Sequence, residues 1–331
     1  MGEHSRYGSV DPAVDAGYPD APARMGFFTD TSVCIGCKAC EVACKEWNGV
    51  PDHGLDLLGM SFDNTGALTA NSWRHVAFIE RPASPGRAAT APGGPDSADG
   101  PDSADGADGA GGADGAGGAV GRTQFLGMPS TELPGRQPGG ERTEFKWLMM
   151  SDVCKHCTHA ACLDVCPTGA LFRTEFGTVV VQEDICNGCG YCIPACPYGV
   201  IDQRHGDGRA WKCTMCYDRI GDGLTPACAT ACPTQSIQYG PLDELRERAA
   251  RRVDRLHEVG ETGARLYGHD AADGVGGDGA FFLLLDEPEV YGLPPDPVVT
   301  TRDLPDMWRR AGMAALTMAA AVAVAFVGRS R

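Results

Sequence analysis

The sequence predicts an α+β protein in which one cysteine-rich domain is inserted in another, followed by a single transmembrane helix. Three observations predict this fold class. The sixteen cysteines fall into four groups of four, and none is left over. Groups two and three are separated by one short stretch, whereas groups one and four flank them at a distance. Residues 311–328 carry no charge, which suits a helix in a bilayer.

Composition argues against two broad classes of protein. The chain has 331 residues and a formal net charge of −16, and binding to nucleic acid phosphates needs a basic surface. We therefore expect no nucleic-acid partner. A disulfide framework is disfavoured, because such scaffolds are usually short and secreted. The opening stretch MGEHSRYGSVDPAVDAGYPD contains no apolar signal-peptide core, so we expect an exported chain to travel with a partner that carries the signal.

The spacing of the cysteines predicts their chemistry. Groups one and three read C-x2-C-x2-C-x3-C, and groups two, three and four are each followed by proline. In this bacterial ferredoxin run, three cysteines hold one cubane cluster and the fourth reaches a second cluster. Zinc, which usually takes paired ligands from two separate knuckles, remains an alternative for one site. The sequence thus predicts four [4Fe–4S] clusters, and we expect each fourth cysteine to begin a helix with proline in its first position.

The groups pair reciprocally, so that each lends its fourth cysteine to its partner. Groups two and three flank LFRTEFGTVVVQED, which is typical of a hairpin, and groups one and four pair across them. We expect two ferredoxin-like dicluster domains, one inserted in the other. The predicted ligand sets are Cys34, Cys37, Cys40 and Cys232; Cys213, Cys216, Cys228 and Cys44; Cys154, Cys157, Cys162 and Cys196; and Cys186, Cys189, Cys192 and Cys166.

The rest of the chain surrounds these two domains. The stretch at 82–140 is rich in Gly, Ala, Asp and Pro and lacks the apolar side chains that would offset its ordering entropy. We expect it to be a disordered insertion, and the alternative of a calcium site lacks any known loop pattern. The predicted parts are an N-terminal extension at 1–25, the outer domain at 26–81 and 205–240, the insertion at 82–140, the inner domain at 141–204, a C-terminal extension at 241–307 and a transmembrane helix at 308–328.

Two further elements are predicted in the C-terminal extension. Apolar residues recur at helical spacing from Leu242 to Leu256, which indicates an amphipathic helix packed on the cluster domains. The run AFFLLLD at 280–286 is typical of a buried strand. The terminal apolar segment has Trp308 and arginines at its boundaries, as a bilayer helix does. A buried or interfacial helix is the alternative.

Few other residues are candidates for chemistry. His156 and His159 lie inside group two, where we expect them to tune a cluster rather than bind iron. Lys212 is expected beside a cluster or a quinone, or else in solvent, and Trp47 is expected to pack on a cluster. There is no dinucleotide fingerprint, Walker loop or hydrolase elbow. The sequence therefore predicts no catalytic residue.

Several stretches carry a resemblance to a known family. TSVCIGCKACEVACKEWN resembles the first cluster motif of the iron–sulfur (beta) subunit of respiratory, membrane-bound formate dehydrogenases of the N/O type. Residues 152–240, with CNGCGYCIPACPYGV and KCTMCYDRI, and the tail RLYGHD…FFLLLDEPEVYGLP are also similar to it. The likeness covers about three quarters of the chain. In nitrate reductase relatives a tryptophan replaces one cysteine of group four, whereas Cys216 is intact here.

The resemblance implies a function and partners. A molybdopterin-containing alpha subunit, with molybdenum or tungsten, oxidises formate; electrons cross the four clusters of this subunit and leave to a cytochrome b gamma subunit and quinone. The resemblance also implies a single-pass membrane location, with the cluster domain on the extracytoplasmic side and exported with the catalytic subunit. One alternative is the same role in a hydrogenase or another molybdopterin oxidoreductase. The other is a zinc-holding scaffold with no redox role.

Overall fold

The computed structural model describes residues 11–52, 62–82, 145–301 and 304–329. The predicted insertion at 82–140 lies outside the described residues except for Pro82, and so do the first ten residues of the N-terminal extension. The chain divides into one compact unit of Met1–Arg81 and Trp147–Arg331 and a second of Pro82–Lys146. All sixteen cysteines lie in the first unit.

Secondary structure is mixed and its elements are short. The strands are β1 Met25–Asp30, β2 Arg74–Pro82, β3 Phe145–Val153, β4 Leu171–Arg173, β5 Val179–Val181, β6 Asp202–Gln203, β7 Ala210–Trp211, β8 Ile237–Pro241, β9 Arg265–Tyr267 and β10 Ala280–Leu284. The helices are α1 Pro12–Asp15, α2 Ala39–Asn48, α3 Ala161–Asp164, α4 Cys192–Ala195, α5 Tyr217–Gly221, α6 Ala227–Thr230, α7 Leu242–Glu258 and α8 Leu304–Arg329, with 3-10 turns at Thr31–Val33 and Pro288–Tyr291.

One four-stranded sheet, in the order β8-β1-β10-β9, organises the unit. Strand β1 runs parallel to β10 and antiparallel to β8, and β10 runs antiparallel to β9. The strand predicted at 280–286 is confirmed as β10, which is buried along its whole length. Its side chains alternate between two faces. Phe281 and Leu283 pack with α7, whereas Phe282 and Leu284 join the core that contains the cysteines.

Helix α7 confirms the predicted amphipathic helix. Leu242, Leu245, Ala249 and Leu256 are buried against the sheet, because they fall on one face at helical spacing. Asp243 and Glu244 occupy the first turn, and Arg255 and His257 occupy the last, which suits the helix dipole at both ends. The helix thereby covers the sheet face that points away from the cysteines.

Short two-stranded sheets lie next to the cysteine loops in the sequence. The predicted hairpin between groups two and three is confirmed: β4 and β5 pair antiparallel, with Leu171 opposite Val181. Strands β2 and β3 form another pair, and β6 and β7 a third. The main core includes buried cysteines of all four groups, so every group contributes at least one cysteine to the core.

Helix α8 stands apart from this core. Its segment Met307–Phe326 is long and apolar enough to cross a membrane, and none of it is buried within the chain. An apolar helix that packs inside its own protein is mostly buried, so the alternative of a soluble core helix is wrong. The C-terminal helix is therefore a candidate membrane span.

Candidate functional site

The four cysteine groups share one loop conformation. In each group, the residue before the second cysteine has a positive φ: 65° at Gly36, 48° at His156, 73° at Gly188 and 58° at Met215. This left-handed region costs a residue with a side chain about 1–2 kcal/mol. His156 and Met215 adopt this conformation in spite of the cost, which indicates that the backbone of all four loops must follow the same path. The groups are thus structural repeats of one cysteine-binding loop.

The end of the motif differs from the sequence expectation. The fourth cysteine of groups two, three and four follows a short helix instead of beginning one, and the proline after it lies in a tight turn. Proline favours the second position of such a turn, where its fixed φ is needed. In group one, which lacks the proline, Cys44 lies inside α2. The bonds that close the three turns are Gly169 N to Cys166 O (3.3 Å), Gly199 N to Cys196 O (3.2 Å) and Gln235 N to Cys232 O (3.3 Å).

Three cavities are each lined by four cysteines. Each combines three cysteines of one group with the last cysteine of another, and we name it after the group that supplies three. Site one is lined by Cys34, Cys37, Cys40 and Cys232; site two by Cys154, Cys157, Cys162 and Cys196; and site three by Cys166, Cys186, Cys189 and Cys192.

The remaining four cysteines also gather, and we call their location site four. Burial raises the pKa of the Cys44 thiol, and the neighbouring thiols of Cys213, Cys228 and Cys216 raise it further. The Asn48 side-chain amide nitrogen lies 3.8 Å from the Cys44 sulfur and 3.7 Å from the Cys216 sulfur. Asn48 therefore donates to two thiols that come from different groups.

The geometry suits a multi-iron cluster better than a single ion. Within the described ranges, no group of three or more His, Cys, Asp and Glu side chains converges closely enough to hold one metal ion. A zinc site would need its thiolates within about 2.3 Å of one point. The cysteines instead surround a space, as ligands to the separate corners of a cubane cluster must. This arrangement disfavours the zinc alternative.

Burial raises the pKa of several of these cysteines, including all four of site four, and makes them poor thiolates on their own. It raises the pKa of Cys213 to about 12, and the thiols of Cys154 and Cys228 contribute to the rise. It raises the pKa of Cys162 to about 12 as well, although the ammonium of Lys212 opposes the shift. Four such groups in one place stay ionised only when bound cations compensate their charge. Iron bound at these cysteines would supply that compensation.

Buried cations line the sites. Lys212 is 1% exposed, so it is not solvated. Its ammonium donates to the carbonyls of Val179 and, at 2.9 Å, Cys213, and it lines site two. Lys155 is also buried and donates to Asp152 and to the Val153 carbonyl. These positive charges offset the negative charge that a thiolate-ligated cluster carries.

The two histidines and Trp47 have separate roles. His156 lines site two, and its Nδ1 accepts a hydrogen bond from the Val179 amide at 3.1 Å. Burial and then the nearby charge of Lys212 hold its pKa well below the ordinary value, so it is neutral. His159 donates its backbone N–H to Val275. Trp47 is half exposed and donates to Asp218, and its packing on a cluster stays a prediction.

Two residues beside the sulfurs have no assignment from the sequence. Ser151 lies on β3 with its hydroxyl 3.2 Å from the Cys40 sulfur. Ser151 lies far along the sequence from the cysteines of site one, so no cysteine spacing rule points to it. Asn48 lies in the EWN tail of group one, and its helical distance of one turn from Cys44 is a usable signal.

Comparisons with known proteins agree with this geometry. Two family models described as 4Fe-4S dicluster domain match residues 33–170 and 145–242. The chain is 33% identical over 286 residues to the iron-sulfur subunit of the nitrate-inducible formate dehydrogenase of Escherichia coli, covering 85% of this chain and 76% of the relative. The Haemophilus influenzae formate dehydrogenase iron-sulfur subunit is 33% identical, with 85% and 72% covered. This protein belongs to the family of formate dehydrogenase iron–sulfur subunits.

Membership fixes the cofactor count. A dicluster domain holds two clusters, and two such domains account for all sixteen cysteines. The relatives are iron-sulfur subunits, and the chain accordingly holds four [4Fe–4S] clusters. A more distant relative is a subunit of the anaerobic dimethyl sulfoxide reductase of Escherichia coli, 29% identical over 225 residues with 68% of this chain and 77% of the relative covered.

Proposed function

We propose that the chain is the electron-transfer subunit of a membrane-bound formate dehydrogenase. It takes electrons from a molybdopterin-containing catalytic subunit and delivers them through four [4Fe–4S] clusters to a cytochrome b subunit and quinone. The observation that carries this proposal is the gathering of sixteen cysteines into four neighbouring sites in a chain of this family. The clusters supply the one-electron chemistry, and the protein sets their potentials.

The ligand assignment belongs to the same proposal. Sites one, two, three and four each bind one cluster through their four cysteines. Three cavities lined by the corresponding cysteines support this assignment. Contacts between α2 and α6, and between α3 and α4, support the pairing of group one with group four and of group two with group three. Under this pairing the inner domain is an insertion in the outer one.

The proposed order of the clusters rests on cysteines of different sites that are electrostatic neighbours of one another. The thiol of Cys228 raises the pKa of Cys40, which links sites one and four. Cys154 acts likewise on Cys213, which links sites four and two. Cys192 acts on Cys162 and links sites two and three. The proposed path therefore runs through sites one, four, two and three.

The two ends of this path are the ones open to partners. Cys37 of site one and Cys189 of site three are exposed, whereas the four cysteines of site four are buried. Thr301, which shortly precedes α8, donates to Asp164 at 2.6 Å, and Asp164 lies between cysteines of sites two and three. Site three is thus on the side where the chain enters the candidate span. Electrons enter at site one and leave at site three towards the membrane.

Location follows the same reasoning. The cluster domains lie against one face of the membrane and α8 spans it once. We propose that this face is extracytoplasmic and that the chain is exported with its catalytic partner, as the resemblance implies. A second candidate function is the same electron path in another molybdopterin oxidoreductase, with which the likeness to the dimethyl sulfoxide reductase subunit is compatible, or in a hydrogenase. The identity of the substrate that donates the electrons distinguishes these two candidate functions.

A pair of cysteine variants tests the path in the intact complex. Cys189→Ala removes a ligand at site three, so formate should still reduce the other clusters while quinone reduction stops. Cys37→Ala removes a ligand at site one, so formate should reduce none of the remaining clusters, although dithionite should. Low-temperature EPR counts the clusters in each variant. Quinone reduction that persists after the site-three signal is lost would contradict the single path.

A further inference from the structure

Arg74 is the first residue of β2 and one of the largest fully buried side chains. It is 2% exposed, and its guanidinium carbon lies 5.1 Å from the centre of the Phe27 ring. Burying a permanent charge is costly unless another charge compensates it. Arg74 therefore needs a partner of opposite charge.

Nothing among the ordinary partners supplies that charge. In the described part of the chain, no ion pair includes Arg74. Its Nη1 donates to the Ser151 carbonyl at 3.3 Å and to the Ser151 hydroxyl at 3.1 Å. Within the same residues, Nε and Nη2 have no hydrogen-bond partner although both are buried. The guanidinium thus retains unused donors in the interior.

The groups that face Arg74 are cysteines from two different sites. The charged neighbours of Arg74 are the thiols of Cys228, Cys40, Cys213 and Cys44, and the Ser151 hydroxyl that accepts from Arg74 lies 3.2 Å from the Cys40 sulfur. Cys40 belongs to site one and the other three belong to site four. Arg74 lies between the two sites that stand first in the proposed path.

We propose that Arg74 is the shared counter-charge of sites one and four and raises the reduction potentials of both of their clusters. A cluster with four thiolate ligands is negatively charged and gains one more negative charge when it accepts an electron. A fixed cation nearby stabilises the reduced form more than the oxidised form, and burial strengthens the effect. Each cluster gains one electron and no proton, because arginine stays protonated throughout.

Ser151 has an effect of its own on the reduction potential, and this effect is confined to site one. Arginine can only donate, so the Ser151 oxygen accepts from Nη1 and its hydroxyl proton is left for the Cys40 sulfur at 3.2 Å. A hydrogen bond to a ligating sulfur also raises a cluster's potential. Arg74 therefore acts on both sites, whereas Ser151 acts on site one.

The test is a redox titration of the membrane-isolated complex followed by EPR. In Arg74→Gln, two of the four clusters should show at least a tenfold lower ratio of reduced to oxidised form at fixed potential. That change corresponds to about 59 mV for one electron. The other two clusters should change less than threefold. Arg74→Lys, which keeps the charge, should stay within threefold of the wild type at all four.

A matched variant separates charge from packing. Arg173 is another buried arginine, and its charged neighbours include Cys162 and Cys157 of site two. Arg173→Gln should leave the two clusters that depend on Arg74 unchanged. If Arg74→Gln moves no cluster, moves all four equally, or is matched by Arg74→Lys, the inference is wrong.

A second variant covers the case in which Arg74→Gln fails to assemble. Ser151→Ala keeps Arg74 and should lower the ratio at one cluster only. A shift at two clusters, or at none, would overturn the inference. The inference rests on the proposed ligand sets, but mediators and dithionite drive the titration. It therefore stands or falls independently of whether formate is the donor.

Discussion

Gly188 and Gly190 flank the same cysteine and have nearly the same backbone conformation, with φ of +73° and +75°. They differ in what a side chain would meet. A Cβ on Gly188 would lie 2.3 Å from the backbone oxygen of Gly208, whereas one on Gly190 would lie 3.8 Å from the Ile193 side chain. Gly188→Ala and Gly190→Ala therefore separate a steric conflict from backbone strain in one loop.

The expected cost differs several-fold. Both variants carry the left-handed penalty of about 1–2 kcal/mol. In Gly188→Ala the loop must also move away from Gly208, against backbone that cannot rotate aside. Gln203 donates to both the Gly188 oxygen, at 2.9 Å, and the Gly208 oxygen, so this movement breaks its two hydrogen bonds. Overlap and lost bonds bring the total for Gly188→Ala to about 3–8 kcal/mol.

Iron content is the assay. The cost in Gly188→Ala is comparable to the whole stability of many domains, so site three should fail to hold its cluster. The four clusters of this subunit should then lose about a quarter of their combined iron, with the EPR signal of one cluster missing. Gly190→Ala should keep full iron. Equal iron in the two variants, whether both full or both reduced, would refute the reasoning.

Other changes give distinct readouts. Leu245→Ala empties the buried face of α7 and should destabilise the protein by about 2–5 kcal/mol in thermal unfolding; an unchanged midpoint would contradict the packing. Asn48→Ala should lower the potential of one cluster by removing a donor to two sulfurs. Slow iron chelation in air should remove the clusters at Cys37 and Cys189 before the buried site-four cluster, and random loss would count against the exposure argument. Truncation before Leu304–Arg329 should release the chain from membranes with its iron intact, because the segment Met307–Phe326 is not buried in the chain.

Cysteine spacing predicted the number and kind of clusters because three thiolates on a short loop must match the corners of one cube. The hairpin at Leu171–Arg173 and Val179–Val181 and the strand at Ala280–Leu284 were also predictable, since each shows its apolar pattern locally. The glycines at Gly36 and Gly188 indicated in the sequence that the backbone is left-handed there. Nothing marked His156 or Met215, where the loop forces a residue with a side chain into the same conformation.

The fourth cysteine was misplaced for a physical reason. Proline is compatible both with the first turn of a helix and with the second position of a tight turn, and the sequence alone does not separate them. The glycine two residues after Pro167 and Pro197 points to the turn. Arg74 and Ser151 were beyond prediction, because they lie far along the sequence from the cysteines they approach, and only the fold brings them together.

The central claim is that formate-derived electrons pass through four clusters in this chain. The most direct test is to add formate anaerobically to the complex isolated from membranes and to record the low-temperature EPR spectrum. The account predicts that signals of reduced [4Fe–4S] clusters appear with formate alone. Clusters that dithionite reduces but formate does not would contradict formate as the donor and favour another molybdopterin oxidoreductase or a hydrogenase. The absence of cluster signals with either reductant would contradict the electron path itself.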